Sequence, residues 1–273
     1  MNTILFPCDF HNDSHIALHH AAFLADNMNA EILMLHIVGN ENESSAKLPE
    51  MDLWKSKLQS VFSGSIRTSI EEGNFKSDIG AIAAREKCKL VVMPTHGIRG
   101  LQHLRGSDAL RVVSNSHIPF VVVQQREMRE HGYRNIVVPI QFRPQVIDEA
   151  KYFISLAKQF SSKVHFIAMN ENAANFNQKI VDDVLQLFKD ENIECDLEIV
   201  NTASGFNKHV VRFAGSVDAD LICSVNFAYE FLYTLFPRTE EENLIYNDAQ
   251  IPVMLITPEK RDDGMEYLSL MWH

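Results

Sequence analysis

"TILFPCDF" at residues 3–10 and "NIVVPIQF" at residues 135–142 are one pattern written twice, and that repetition decides the fold. Each is a short apolar run that closes on a polar residue and an aromatic, with Pro7 and Pro139 in matching places. Self-similarity at a long fixed period, here about 132 residues, marks a duplicated structural unit. The match continues in "FLADNMNAEILMLHIV" (23–38) against "SLAKQFSSKVHFIAMN" (155–170), where Leu24 and Ala25 fall on Leu156 and Ala157. It closes with "HIPFVVV" (117–123) against "QIPVMLI" (250–256). The polar stretch "QQREMREHGYR" separates the copies, giving a first domain at 1–130, a second at 131–260 and a C-terminal tail at 261–273.

Within the first copy, short apolar runs alternate with amphipathic segments. The pattern predicts strands near 2–8, 31–38, 65–71, 89–93 and 119–124, and helices near 13–28, 49–62, 76–87 and 107–115. Strands that are apolar throughout and separated by helices belong to a parallel sheet covered on both faces. The expected fold class is therefore α/β, two tandem doubly wound (Rossmann-like) domains with five parallel strands each. Ligands of such folds bind at the carboxyl ends of the strands, at a topological switch point. Asp9, the stretch from Val38 and Gly39, and the segment after the fourth strand should line that rim. "GNENESSAK" (39–47) reads as a mobile loop near it.

Charge and composition exclude several classes of function. A formal net charge of -11 opposes sequence-independent binding to DNA, RNA or anionic membranes. No window approaches the roughly 18 apolar residues of a membrane span, and "MNTILFPCDF" lacks the basic and apolar regions of a secretory signal. A cytoplasmic protein is expected. Cys8, Cys88, Cys195 and Cys223 are scattered without a CxxC, so neither a disulfide framework nor a cysteine zinc site is expected.

The segment after the fourth strand, "MPTHGIRGLQHLRGS" (93–107), is a Gly-containing turn that opens a helix. Backbone N–H groups and the helix dipole converge on anions at such places. Arg99, His103, Arg105 and Arg111 make a basic island there in an otherwise acidic chain.

Taken together, "FPCDF", "LVVMPTHG", "RGS" and "IPFVVV" resemble the universal stress protein family in its tandem form, and the resemblance runs more faintly through the second half. It implies a five-stranded parallel sheet and, in many members, ATP bound by a motif of Gly, two residues, Gly, nine residues, then Gly-Ser or Gly-Thr. Carried over, Pro94 stands for the first glycine, Gly97 for the second, and Gly106 with Ser107 for the final pair. Eight residues separate Gly97 from Gly106 instead of nine, and Pro94 contributes no N–H. The resemblance also assigns Asp9 to the adenine or ribose end and Val38 to backbone contact with the base. The nucleotide-site candidates are thus Asp9, Val38, His96, Gly97, Gly100, Arg105, Gly106 and Ser107, with ATP and Mg²⁺ as ligands. An ordinary structural role for Asp9, as a turn or N-cap residue, stands beside this one.

In the second copy, Gln141 occupies the Asp9 position and "SVNFAYEFLYTLFPRTEEEN" (224–243) replaces the Gly loop without a glycine. Thr239 followed by Glu242 has capping-box spacing, which satisfies the helix's own donors and repels anions. The second domain is expected not to hold nucleotide. Its aromatic residues Phe227, Tyr229, Phe231, Tyr233 and Phe236 suit packing or an apolar ligand.

No metal site is expected. The weak candidates are His11, His15 and His19 at intervals of four, without the Glu of an HExxH pattern. Ser107 lacks a GxSxG context and a partner base, so no catalytic residue is assigned. The expectation is a binding or signalling module with an adenine nucleotide and an unidentified protein partner. An intrachain pseudo-dimer through "FVVV" and "VMLI", and a further homodimer, are also expected. The alternatives are a scaffold or hydrophobic small-molecule binder with both sites degenerate, and a slow ATPase or metal-dependent enzyme. The tail "EKRDDGMEYLSLMWH" carries no readable function.

Overall fold

The computed structural model describes residues 2–11, 14–94, 116, 118–140, 146–169, 178–201, 205–225, 247–256, 259–260 and 266–267. The chain divides into two compact units, Met1–Met128 and Arg129–His273. Among the described residues no helix is long and apolar enough to cross a membrane.

In the first unit, "TILFPCDF" supplies β1 (Asn2–Pro7), whose residues after Asn2 are all buried. It is followed by α1 (Ser14–Met28), β2 (Ala30–Val38), a 3-10 turn (Glu41–Glu43), α2 (Ser44–Gln59) and β3 (Ile66–Glu72). Then come α3 (Phe75–Arg85), β4 (Leu90–Pro94) and β5 (Phe120–Val123). The strands lie in the order β3-β2-β1-β4-β5 and all pair in parallel, for example Ile4 with Ile32 and with Leu90. Because both faces of β1 and β4 are covered, Ile4, Leu5, Phe6 and Val91 are removed from water without any polar–apolar alternation. Helix α1 meets the sheet through Ala17, Leu18, Ala21, Leu24 and Ala25, the spacing of one helical face. Sequence order reverses between β1 and β4, which puts the switch point over their carboxyl ends.

The second unit repeats the scheme with β6 (Asn135–Ile140), α4 (Val146–Phe160), β7 (Lys163–Met169) and α5 (Gln178–Asp190). It continues through β8 (Cys195–Val200), α6 (Phe206–Ser216), β9 (Leu221–Val225) and β10 (Val253–Ile256). Its parallel order is β8-β7-β6-β9-β10. The residues Arg129 and His131 before β6 are tied to it by the buried Asp220. That carboxylate accepts from the Asn135 N–H at 2.9 Å, from Arg129 Nη1 at 3.0 Å and from His131 Nε2 at 3.3 Å. Two short antiparallel strands, β11 (Glu259–Lys260) and β12 (Glu266–Tyr267), follow.

One local expectation is corrected. "GNENESSAK" is not a loop throughout: the Asn40 side chain accepts the Asn42 N–H at 3.0 Å, caps the 3-10 turn, and the chain runs directly into α2 at Ser44. The helix predicted near 49–62 begins earlier, at Ser44, and Pro49 lies inside α2. The predicted helix at 107–115 lies outside the described residues.

Candidate functional site

The connection from β1 to α1 is built from a few cooperating groups. Cys8 extends the parallel ladder by one rung, donating its N–H to Leu35 O at 2.7 Å. Asp9 Oδ1 then accepts the His11 N–H at 3.0 Å and the Ser14 hydroxyl at 2.7 Å, which closes the turn and anchors the first residue of α1. The structural role expected of Asp9 is real, and one oxygen accomplishes it. The other, Oδ2, is buried and has no hydrogen-bond partner among the described residues. A carboxylate oxygen withdrawn from water without a partner is costly, so it marks a place where a donor is wanted.

Phe10 lies in the left-handed region at φ 62°. Of the other non-glycine residues with positive φ, Asn29, Lys87, Ser161, Asn192 and Asp218 fall one or two positions past a helix end, where this conformation is ordinary, and Gln250 lies in the turn before β10. Phe10 instead sits in a strand-to-helix turn, and for a bulky side chain this costs about 1–3 kcal/mol. Its ring stacks on His36, with centroids 4.2 Å apart and planes at 30°. His36 lies on β2, and its Nδ1–H donates to Cys8 O at 2.7 Å, since a carbonyl can only accept. Burial, reinforced by the nearby Lys47 charge, holds His36 below the ordinary histidine range against the opposing pull of that bond. Lys47 on α2 stands 5.9 Å from the Phe10 centroid and pairs with Glu50 at 2.7 Å. The result is a rim that joins β1, β2 and α2, with a carboxylate oxygen that has no partner among the described residues, a stacked aromatic pair and an amine.

Val38 ends β2 on the same rim, buried, its carbonyl accepting the Gly73 N–H at 3.0 Å. A carbonyl oxygen has a second lone pair, so this bond leaves Val38 able to accept again. Asp9 and Val38 thus share the carboxyl edge of neighbouring strands. His96, Gly97, Gly100, Arg105, Gly106 and Ser107 lie outside the described residues, as do Arg99, His103 and Arg111. Pro94 belongs to the end of β4, paired with Val123. The pairing of β4 with β1 runs Ile4 to Leu90 and Leu5 to Val91, stopping short of Pro94, so the missing N–H takes nothing from that ladder.

Gln141 and the aromatic segment of the second unit are likewise outside the described residues. Of the histidines, His15 and His19 approach each other on α1 with Nε2 atoms 3.2 Å apart. His20, next in sequence, turns inward and meets Arg126 O at 2.9 Å. Among the described residues, no group of three His, Cys, Asp or Glu side chains is arranged to hold a metal. The four cysteines are free. Burial pushes the thiols of Cys8 and Cys88 up to about 12, which leaves them inert. Phe10, Ser14, His36 and Lys47 carry no sequence signal of their own. Only the register of β1 on β2 and the sign of φ at Phe10 bring them together.

Comparison with known proteins gives three kinds of likeness. Residues 1–124 match the model of the universal stress protein family. A universal stress protein of Methanocaldococcus jannaschii is 29% identical over 140 residues, which is 45% of this chain and 81% of the relative. The crystal structure of a universal stress protein from Archaeoglobus fulgidus superposes with a TM-score of 0.72 at 17% identity, covering 96% of this chain and 97% of that one. A second crystal structure, from Pseudomonas aeruginosa, superposes with a TM-score of 0.66 at 14% identity over 94% of both chains. At such identities the structural likeness establishes the α/β fold.

Proposed function

We propose that this chain, whose residues 1–124 belong to the universal stress protein family, is a stress-response binding and signalling module that holds an adenine nucleotide in its first unit. The observation that carries the reading is the Oδ2 of Asp9, buried at the carboxyl end of β1 beside the switch point and without a partner among the described residues. An acceptor in that position suits an exocyclic amine or a ribose hydroxyl, both of which donate. The Val38 backbone would meet the base. His96, Gly97, Gly100, Arg105, Gly106 and Ser107 would surround the phosphates, where basic side chains and bare backbone N–H groups stabilise anions. Mg²⁺, arriving with ATP, would offset part of the triphosphate charge. The strained Phe10 and its stack on His36 support the reading, because backbone strain of this kind collects at ligand sites.

Thermal melting of the nucleotide-stripped chain with Mg-ATP tests it. A ligand at 100 times its Kd stabilises by about 2.7 kcal/mol. That corresponds to a rise of roughly 5–10 °C for a unit of this size. A saturable rise with ATP that GTP does not reproduce supports the proposal. Equal responses to ATP and GTP, or none, would overturn it.

A further inference from the structure

We propose that His15 and His19 form a metal-binding pair on α1, taking a divalent first-row transition ion, Cu²⁺ more tightly than Zn²⁺. The pair stands apart from the nucleotide reading and does not depend on it. Residues four apart share one helix face, so their side chains converge without any help from tertiary structure. Here the convergence is specific: the two Nε2 atoms are 3.2 Å apart, the ring centroids 4.6 Å, and the planes cross at 66°. Two nitrogens each 2.0–2.1 Å from a tetrahedral ion lie about 3.3–3.4 Å apart. A square-planar pair at right angles lies at about 2.9 Å. The observed separation falls between the two, so the rings already hold the bite that either geometry requires.

As it stands the contact is a hydrogen bond, one Nε2–H donating to the other ring, and an ion would take the place of that proton. His15 is exposed and His19 half-buried, which leaves solvent access for entry. Helix α1 is fixed at its start by the bond between Ser14 and Asp9, directly before His15. Competing sulfur ligands are weak, because burial raises the Cys8, Cys88 and Cys223 thiols far from thiolate formation. Since no third ligand among the described residues completes a closed set, the ion would keep open positions filled by water. Imidazole suits both copper and zinc, and the order of divalent affinities places Cu²⁺ first.

Calorimetric titration of the metal-stripped chain with CuCl₂ and with ZnCl₂ tests this, alongside His15→Gln, His19→Gln and, as a control on α6, His209→Gln. Losing even an outer-shell partner of a metal ligand costs about 10–100-fold in affinity, so losing a ligand should cost no less. One equivalent of metal in the wild type, tighter for Cu²⁺, is expected to weaken at least about tenfold in either α1 variant and to persist in His209→Gln. The copper complex should show paramagnetic coupling to two imidazole nitrogens. His15 is exposed, so His15→Gln carries the test even if His19→Gln melts early. Unchanged stoichiometry and affinity in His15→Gln would overturn the proposal.

Discussion

Replacing Asp9 by Asn separates its two tasks, because the amide keeps one acceptor oxygen and exchanges the other for a donor. With the amide oxygen at the Oδ1 position, the bonds from the His11 N–H and the Ser14 hydroxyl survive at 3.0 and 2.7 Å. The NH₂ group then occupies the place of the buried Oδ2, which has no partner among the described residues. Stability without ligand should change by less than about 1 kcal/mol, since no existing partner is lost. Binding should suffer more. A hydrogen bond to a charged group contributes about 1.5–3 kcal/mol, and a donor facing a donor adds repulsion, so Mg-ATP should bind at least about 10–150-fold more weakly. Asp9→Ala, by contrast, also releases the turn and should destabilise the apo protein by about 1–3 kcal/mol. Denaturant unfolding of the apo forms, paired with nucleotide titration of each, reads both effects. Asp9→Asn that binds like the wild type, or that unfolds as early as Asp9→Ala, would refute the division of labour between the two oxygens.

Three further outcomes are expected. His20 is buried, its ring pushed down to about 4 chiefly by burial. In the unfolded chain it takes a proton near its ordinary value of about 6.5, so the unfolded state binds more protons between these values and stability falls as pH drops from about 6.5 to about 4. That loss, on the order of 3 kcal/mol, should be missing from the acid-unfolding profile of His20→Gln relative to wild type. Asp220→Ala removes the acceptor shared by Asn135, Arg129 and His131, and should cost about 2–4 kcal/mol in urea unfolding. The Tyr152 hydroxyl is buried without a partner among the described residues. Tyr152→Phe should therefore be neutral or stabilising by about 1 kcal/mol, and a loss larger than that in thermal unfolding would reveal a partner.

The strands were legible because burial on both faces leaves an unbroken apolar run, which "TILFPCDF", "LVVMP" and "FVVV" display plainly. The start of α2 was not, because the polar "GNENESSAK" reads as a loop while the helix begins within it, after a capped 3-10 turn at Asn40. At the site, Asp9 announces itself by its position after an apolar strand. The consequence that matters, one oxygen engaged and one not, depends on where Ser14 and the His11 N–H fall in three dimensions. His36 shows the same limit more sharply. In the sequence it is a histidine in an apolar strand, and only strand register brings it under Phe10 and onto the Cys8 carbonyl. The His15 and His19 spacing was visible, but ligand geometry is a distance between ring nitrogens that spacing alone leaves open.

Calorimetric titration of the nucleotide-free chain with Mg-ATP, with Gly106→Glu measured in parallel, tests the nucleotide assignment most directly. One site per chain, abolished when a carboxylate is placed in the segment expected to meet the phosphates, is the predicted result. No heat of binding in the wild type, or binding that Gly106→Glu leaves intact, would contradict it.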